Sequence, residues 1–458
     1  MTESLHNINK AAVAIFAAAV CWILYICEGP SFVMREHATQ YLQFLDGRSS
    51  SITLVNKYIT QNLFSGCVSS ACEIILFTLS TFTIVDVLSN NDCFDFITKL
   101  LRTRSTKKLL WSITAITFFL SATLDNMVTV ALMLTILHTL VEDRKTKMFM
   151  GAAILIAANC GGAFTVIGDV TSLVLWVKGA VTPTDYAIHM FVPSLIGWVV
   201  PTFLISRSLP HRLDNIAAMN YYRGESTRLK VWERVLMLFV GIGGLWFIPS
   251  FHRLTQLPSF VGALCVLALL WIVHEVVNRK FTRSGQMFLQ KMPRALQYSH
   301  MQTIFFILGM FLAVGALQET GVMQQYGKWC TENLHNIYIY SITVGLLSSL
   351  MDNFVLVLAS ITTFPIVDIS SIISHPDVQY LSYFTTDGAY WTLLSFSTTL
   401  GGTLLTFSSL AGYAYMRMEN IPVKWYISNI TGKVLIGWLL GLGAYFLMYT
   451  FILENFSI

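Results

Sequence analysis

Charge is what this 458-residue chain has least of: Asp, Glu, Lys and Arg make up 12% of it. A soluble domain carries roughly a quarter, so a soluble globular enzyme is excluded. The net charge is only +4 and spread between apolar blocks, so a nucleic-acid partner is set aside as well. Cysteine is unpatterned. Its eight residues (21, 27, 67, 72, 93, 160, 265 and 330) include no C-x-x-C pair, and neither a disulfide framework nor a zinc site is expected. No phosphate-binding G-x-x-x-x-G-K-[ST] occurs. The nearest run, Gly321 to Gly327-Lys328-Trp329, has the wrong spacing and no hydroxyl, so nothing supports ATP-driven pumping. His274-Glu275-Val276-Val277-Asn278 lacks the second His of a zinc helix. No cofactor is expected.

Hydrophobic residues are abundant, at 55%. Apolar blocks long enough to cross a bilayer lie near 11–27, 71–90, 149–178, 187–205, 232–249, 257–277, 301–318, 389–416 and 430–453. The first is read as an anchor, because Cys27-Glu28-Gly29-Pro30 is a poor cleavage site for a signal peptide. Basic residues cluster at Lys99 to Lys108, Arg144 to Lys147, Arg207 to Lys230 and Arg279 to Arg294, which the positive-inside rule puts in the cytoplasm. The block 109–141 then starts and ends on one side. It reads as a re-entrant hairpin with Leu124-Asp125-Asn126 at its tip. The alternative is two short crossing helices with Asp125 in an outer loop. The block 337–363 has flanks poor in Lys and Arg and carries Met351-Asp352-Asn353. It reads as a second hairpin entering from outside.

The halves are weakly similar. Ser121, Asp125, Asn126, Val128 and Val130 match Ser348, Asp352, Asn353, Val355 and Val357, and Gly161-Gly162 corresponds to Gly401-Gly402. Counting crossings makes the repeats inverted, as in many secondary transporters. The expected fold is an all-α polytopic membrane protein of two inverted repeats, each with a re-entrant hairpin and a Gly-interrupted helix. Residues 1–70 form an N-terminal anchor helix and outer segment, and 71–206 the first repeat. Residues 207–300 are a two-helix connector ending in a basic amphipathic stretch, and 301–458 the second repeat.

A carboxylate in lipid is costly and marks a pathway more often than packing. The candidates are Glu73, Asp86, Asp125, Asp169 and Asp352. Asp86 lies near a helix end and Glu73 near the outer end of its span, so an interfacial role competes for both. The run Asn159-Cys160-Gly161-Gly162 through Gly168-Asp169-Val170-Thr171-Ser172 offers carboxylate, amide and hydroxyl oxygens. These suit a hard cation such as Na⁺. Gly161, Gly162, Gly401 and Gly402 are expected to break their helices and free backbone groups. Close helix packing is the competing explanation for glycine pairs. The second half supplies hydroxyls from Thr398 to Ser409 but no counterpart of Asp169. Asp125 and Asp169 are therefore expected to form a coupled pair that holds Na⁺, with Asp352 among neutral dipoles.

Leu124-Asp125-Asn126, the run from Asn159 to Ser172, and Ser349-Leu-Met-Asp352-Asn353 resemble the NhaD-type sodium/proton antiporters of the ion-transporter superfamily. Glu73-Ile-Ile-Leu-Phe and Thr83-Ile-Val-Asp86 resemble that family's second-helix motif, and the likeness covers roughly residues 65–453. The resemblance implies exchange of Na⁺ or Li⁺ for H⁺ across a bacterial inner membrane. Its ion-related positions would fall on Asp125, Asn126, Asn159, Asp169, Thr171, Ser172, Asp352 and Glu73, with Asn353 beside them at the second tip. The lipid bilayer and a second copy in a homodimer are the expected partners. Sodium-coupled dicarboxylate uptake or oxyanion export is the alternative on the same fold, although acids at both tips would repel an anion. An intramembrane aspartyl protease needs G-x-G-D, and Val166 stands where the first Gly belongs.

Overall fold

The structure is a computed structural model that describes residues 9–101, 103–210, 229–282, 298–372 and 377–450. Most of the basic cluster from Arg207 to Lys230, and the amphipathic stretch 279–298 beyond Thr282, lie outside the described residues. Every long element is helical. The N-terminal part comprises α1 (Lys10–Cys27), α2 (Gly29–Glu36), α3 (Ala38–Leu45) and α4 (Ile52–Tyr58). A π-helical turn, Ile59–Phe64, joins α4 to α5 (Ser65–Asn90) without a break. There follow α6 (Asp95–Leu100), α7 (Thr106–Ser121), α8 (Asn126–Leu140), α9 (Arg144–Phe164), α10 (Val170–Val177) and α11 (Pro183–Ser206). The connector carries α12 (Val231–Leu238), α13 (Gly244–Thr255) and α14 (Ser259–Thr282). The second half has α15 (Tyr298–Glu319), α16 (Val322–Asn333), α17 (Ile337–Ser348), α18 (Asn353–Thr363), α19 (Ile369–Ile372), α20 (Val378–Ser382), α21 (Ala389–Gly401), α22 (Leu410–Glu419), α23 (Val423–Tyr426) and α24 (Gly432–Met448).

Among the described residues, eight helical stretches are long and apolar enough to cross a membrane. The third expected span and the one at 389–416 are each split in two, as α9–α10 and α21–α22. The expected span at 71–90 is the second part of a 39-residue helix starting at Ile52. Residues 52–70 are thus helical and continuous with that span, in a helix that at 1.5 Å per residue is roughly twice as long as the hydrocarbon core is thick. In the connector, apolar side chains such as Phe239 (76% exposed) and Trp271 (43% exposed) face outward, the arrangement a helix needs in lipid.

Internal symmetry shows in which helices touch. α7 packs on α9 and α17 on α21; α11 packs on α24; α5 packs on α15. The halves also exchange contacts: α8 lies against α22, and α10 against α18. Equivalent hydrogen bonds accompany this. Ser121 Oγ donates to the Ala158 carbonyl at 2.7 Å, and Ser348 Oγ to the Thr398 carbonyl at 2.6 Å.

The glycine pairs correct one expectation. α9 runs through Gly161 and Gly162 to Phe164, and the interruption falls at residues 165–169. A Cβ on Gly161 would run into the Phe118 carbonyl of α7, and one on Gly162 into the Gly168 carbonyl. These glycines let backbones approach, the packing role small residues have between membrane helices. In the second half α21 does end at Gly401, with Gly402 as its C-cap. Gly401 likewise admits the Gly345 carbonyl of α17.

Candidate ion-binding site

Each hairpin tip is built by one side chain. Asp125 is the N-cap of α8, and its Oδ1 accepts the backbone N–H of Met127 at 2.9 Å. Asp352 is the N-cap of α18, and its Oδ1 accepts the Phe354 N–H at 3.1 Å. Aspartate suits this place because it satisfies amides that lack an intrahelical partner. Asp169 is the N-cap of α10, where the backbone N–H groups of Val170 and Thr171 act on its carboxylate. Ser409 is the N-cap of α22 and accepts the Gly412 N–H at 3.0 Å. All four caps line one small cavity, together with Asn126, Val170, Phe306, Ile307, Asn353, Phe354 and Leu410. Four helix N-termini therefore converge on a volume of about 10 Å³, the space of roughly one water molecule.

Asp169 is the most enclosed of the three acids lining the cavity, at 6% exposure. Its Oδ2 accepts the Thr171 hydroxyl at 2.6 Å. The same oxygen lies 3.4 Å from the Asn353 Nδ2 donor and 3.5 Å from the Thr399 Oγ1 donor, both from the other half. Ser172 Oγ donates to the carbonyls of Thr165 (2.8 Å) and Asp169 (2.9 Å), which fixes the broken segment. Asn126 Nδ2 donates to Asn159 Oδ1 at 3.1 Å, so the first tip is tied to α9. The donors to a cation here are carboxylate, amide and hydroxyl oxygens, the hard set that group 1 and 2 ions favour. Among the described residues no three His, Cys, Asp or Glu side chains cluster as for a resident metal.

Asp352 acts electrostatically on Asp169 across the cavity. Asp352 is not among neutral dipoles only, since the Lys10 ammonium acts on it as well. Lys10 opens α1, and its Nζ stands 4.8 Å from the Phe306 ring centroid at the cavity wall. Nothing in the sequence tied this lysine to the site, because α1 precedes both repeats. Glu73 does not line the cavity; it is a charged neighbour of Lys178. Asp86 lies outside the cavity too. Ser409 is the residue sequence reasoning undervalued. The offset between Gly161 and Gly401 also relates Asp169 to Ser409, and that register was the available signal.

The model of the family described as "Citrate transporter", CitMHS, matches residues 2–382. Curated relatives extend the match. Sodium/proton antiporter 1 of Arabidopsis thaliana is 31% identical over 438 residues, 95% of this chain and 68% of that protein. The chain belongs to the CitMHS–NhaD transporter superfamily. Sodium/proton antiporter 2 of the same plant is 30% identical over 84% of this chain and 87% of its own length. The Na(+)/H(+) antiporter NhaD of Vibrio cholerae is 24% identical over 98% and 88%. The protein is thus a multi-pass membrane protein and a cation-coupled secondary transporter, not an enzyme.

Proposed function

We propose that the protein exchanges Na⁺ or Li⁺ for H⁺ across a bacterial inner membrane, by competition of cation and proton for the carboxylates around Asp169. One observation carries this reading. Three carboxylates and two asparagine amides from both halves line a cavity with room for one small occupant. Four helix N-termini offset part of the three negative charges, and the Lys10 ammonium acts on Asp352 as well. A monovalent cation and a proton then compete for the same carboxylates.

In this reading Asp125, Asp169 and Asp352 take cation or proton. Asn126, Asn159, Thr171, Ser172 and Asn353 supply or orient oxygens, while Glu73 stands apart. Both hairpins are re-entrant. The arms of the first, 16 and 15 residues, span roughly 24 Å at 1.5 Å per residue, against a hydrocarbon core of about 30 Å. The repeats are inverted, and the transporter is a homodimer, for which cross-linking in native membranes is the test.

The family description favours a second reading, uptake of citrate, a dicarboxylate or another organic anion. The cavity argues against it, because three acids repel an anion and the space is too small for one. Dye-reported ΔpH in inverted vesicles decides. The expected result is proton movement on adding Na⁺ or Li⁺ and none with succinate or citrate. Loss of the Na⁺ response with a retained citrate response would reverse the assignment.

A further inference from the structure

A second cavity, about 360 Å³ in volume, lies beside the first. Its rim includes the exposed Gln40, Asn62, Lys178 and Gln318, and its floor the buried Phe311, Val314 and Leu358. It is walled by the same two helices as the ion cavity. On α15, Ile307 lines the small cavity and Phe311 the large one. On α18, Phe354 lines the small cavity and Leu358 the large one. Four residues of helix separate each pair, about 6 Å along the axis. Between the cavities stand two rings. Phe311 belongs to the large cavity and Phe354 to the small one, and their centroids are 5.6 Å apart.

We propose that the large cavity is the entrance by which a hydrated monovalent cation reaches the ion cavity from one face, and that the Phe311–Phe354 contact closes it. The proposal rests on the reading of the small cavity as the ion site. The volumes fit the two states of the ion. About 10–15 Å³ already holds one water, so the large cavity takes an ion with its hydration shell and the small one takes it bare. The charges at the mouth are balanced. Glu319 is paired with His37 at 2.7 Å. Lys178 donates to Ser70 at 3.1 Å and has Glu73 as a charged neighbour. Such a mouth passes a cation without trapping it. The residues 29–64 supply part of the wall through His37, Gln40, Asn62 and Leu63.

The test uses a membrane-impermeant, positively charged thiol reagent on right-side-out and inverted vesicles, read by peptide mass spectrometry. Thr362→Cys reports the large cavity, Ile307→Cys the ion cavity, and Lys328→Cys marks the face. Thr362→Cys should label from the same face as Lys328→Cys. Ile307→Cys should stay unlabelled until Phe354→Ala is added, then react at least tenfold faster from that face alone. Phe311→Ala replaces Phe354→Ala if the latter does not reach the membrane, since either opens the same ring contact. Labelling of Thr362→Cys from the opposite face or from neither overturns the proposal, as does an Ile307→Cys rate that neither truncation changes. If labelling follows the expected pattern but Na⁺ neither protects Ile307→Cys nor drives proton movement, the ring-gated path between the cavities stands while the reading of the ion site, and with it the cation as the path's occupant, fails.

Discussion

Replacing Thr171 by Val removes one hydroxyl and little volume, at a fully buried position. That hydroxyl donates to Asp169 Oδ2 at 2.6 Å, the shortest bond this carboxylate receives. A hydrogen bond to a charged group contributes about 1.5–3 kcal/mol. The bond favours the ionised carboxylate over the protonated one, so its loss strengthens proton competition by roughly 10- to 150-fold. In Na⁺-driven proton flux from inverted vesicles, half-saturating Na⁺ should rise by up to that factor at the acid end of the profile. It should return toward wild type at the alkaline end, where the carboxylate is ionised with or without its donor. Thr171→Ser keeps the hydroxyl and should restore the wild-type response. Thr399→Val is the control, since its hydroxyl lies 3.5 Å from the same oxygen, the limit of bonding. Equal effects of Thr171→Val and Thr399→Val, or a Thr171→Val penalty that does not change with pH, would refute the reasoning.

Asp125→Asn keeps an N-cap side chain and should leave the melting temperature in detergent near wild type while abolishing exchange, whereas Asp125→Ala should also lose about 1 kcal/mol of stability with the cap. Gly161→Ala should destabilise by about 1–3 kcal/mol, because its methyl meets the Phe118 carbonyl; Gly443→Ala, with nothing within 4 Å of its Cβ, is the control that should melt no lower. The hydrogen bond from His37 to Glu319 raises the His37 pKa above its ordinary 6.5, with Gln40 and Glu36 adding to the effect. The ion pair therefore stabilises the docked N-terminal segment fully below that ordinary value and less as pH rises through the raised one. Proteolysis in the loop 46–51 should accelerate from about pH 6 to about pH 9, and His37→Gln should flatten that dependence.

The symmetric parts of the molecule were legible and the asymmetric ones were not. Asp-Asn at the head of a short apolar helix is a local signal, because the Asp caps its own helix, and it marks the start of both α8 and α18. The interrupted helices were found from Gly-Gly, but the position of the first break was not. Gly161 and Gly162 answer to the backbones of Phe118 and Gly168, which are contacts no local pattern displays. That the helix carrying the span at 71–90 begins well before it is likewise not displayed by a local pattern. The helix is carried from Ile52 through the π-helical turn Ile59–Phe64, whose Ile59 and Leu63 pack in a separate apolar cluster with Trp22, Tyr25 and Tyr41. Lys10 was missed because its neighbourhood with Asp352 spans most of the chain.

The difference between Asp169 and Ser409 is where the repeat stops being a repeat. Both are N-caps at the cavity, and the same register relates them. Ser409 spends its hydroxyl on its own helix, at Gly412. Asp169 takes the Thr171 hydroxyl from its own helix and, across the interface, donors from Asn353 and Thr399. A fourth carboxylate in place of Ser409 would add a negative charge that is costly to hold in lipid. With serine at 409, the carboxylate at this register is the one that both halves touch. Two of the donors to Asp169 Oδ2 come from the other half, so in the proposed exchange a shift of one half against the other would change the donors on that oxygen directly. Movement of the scaffold and affinity of the site would then be coupled there, without any need for a longer path between them.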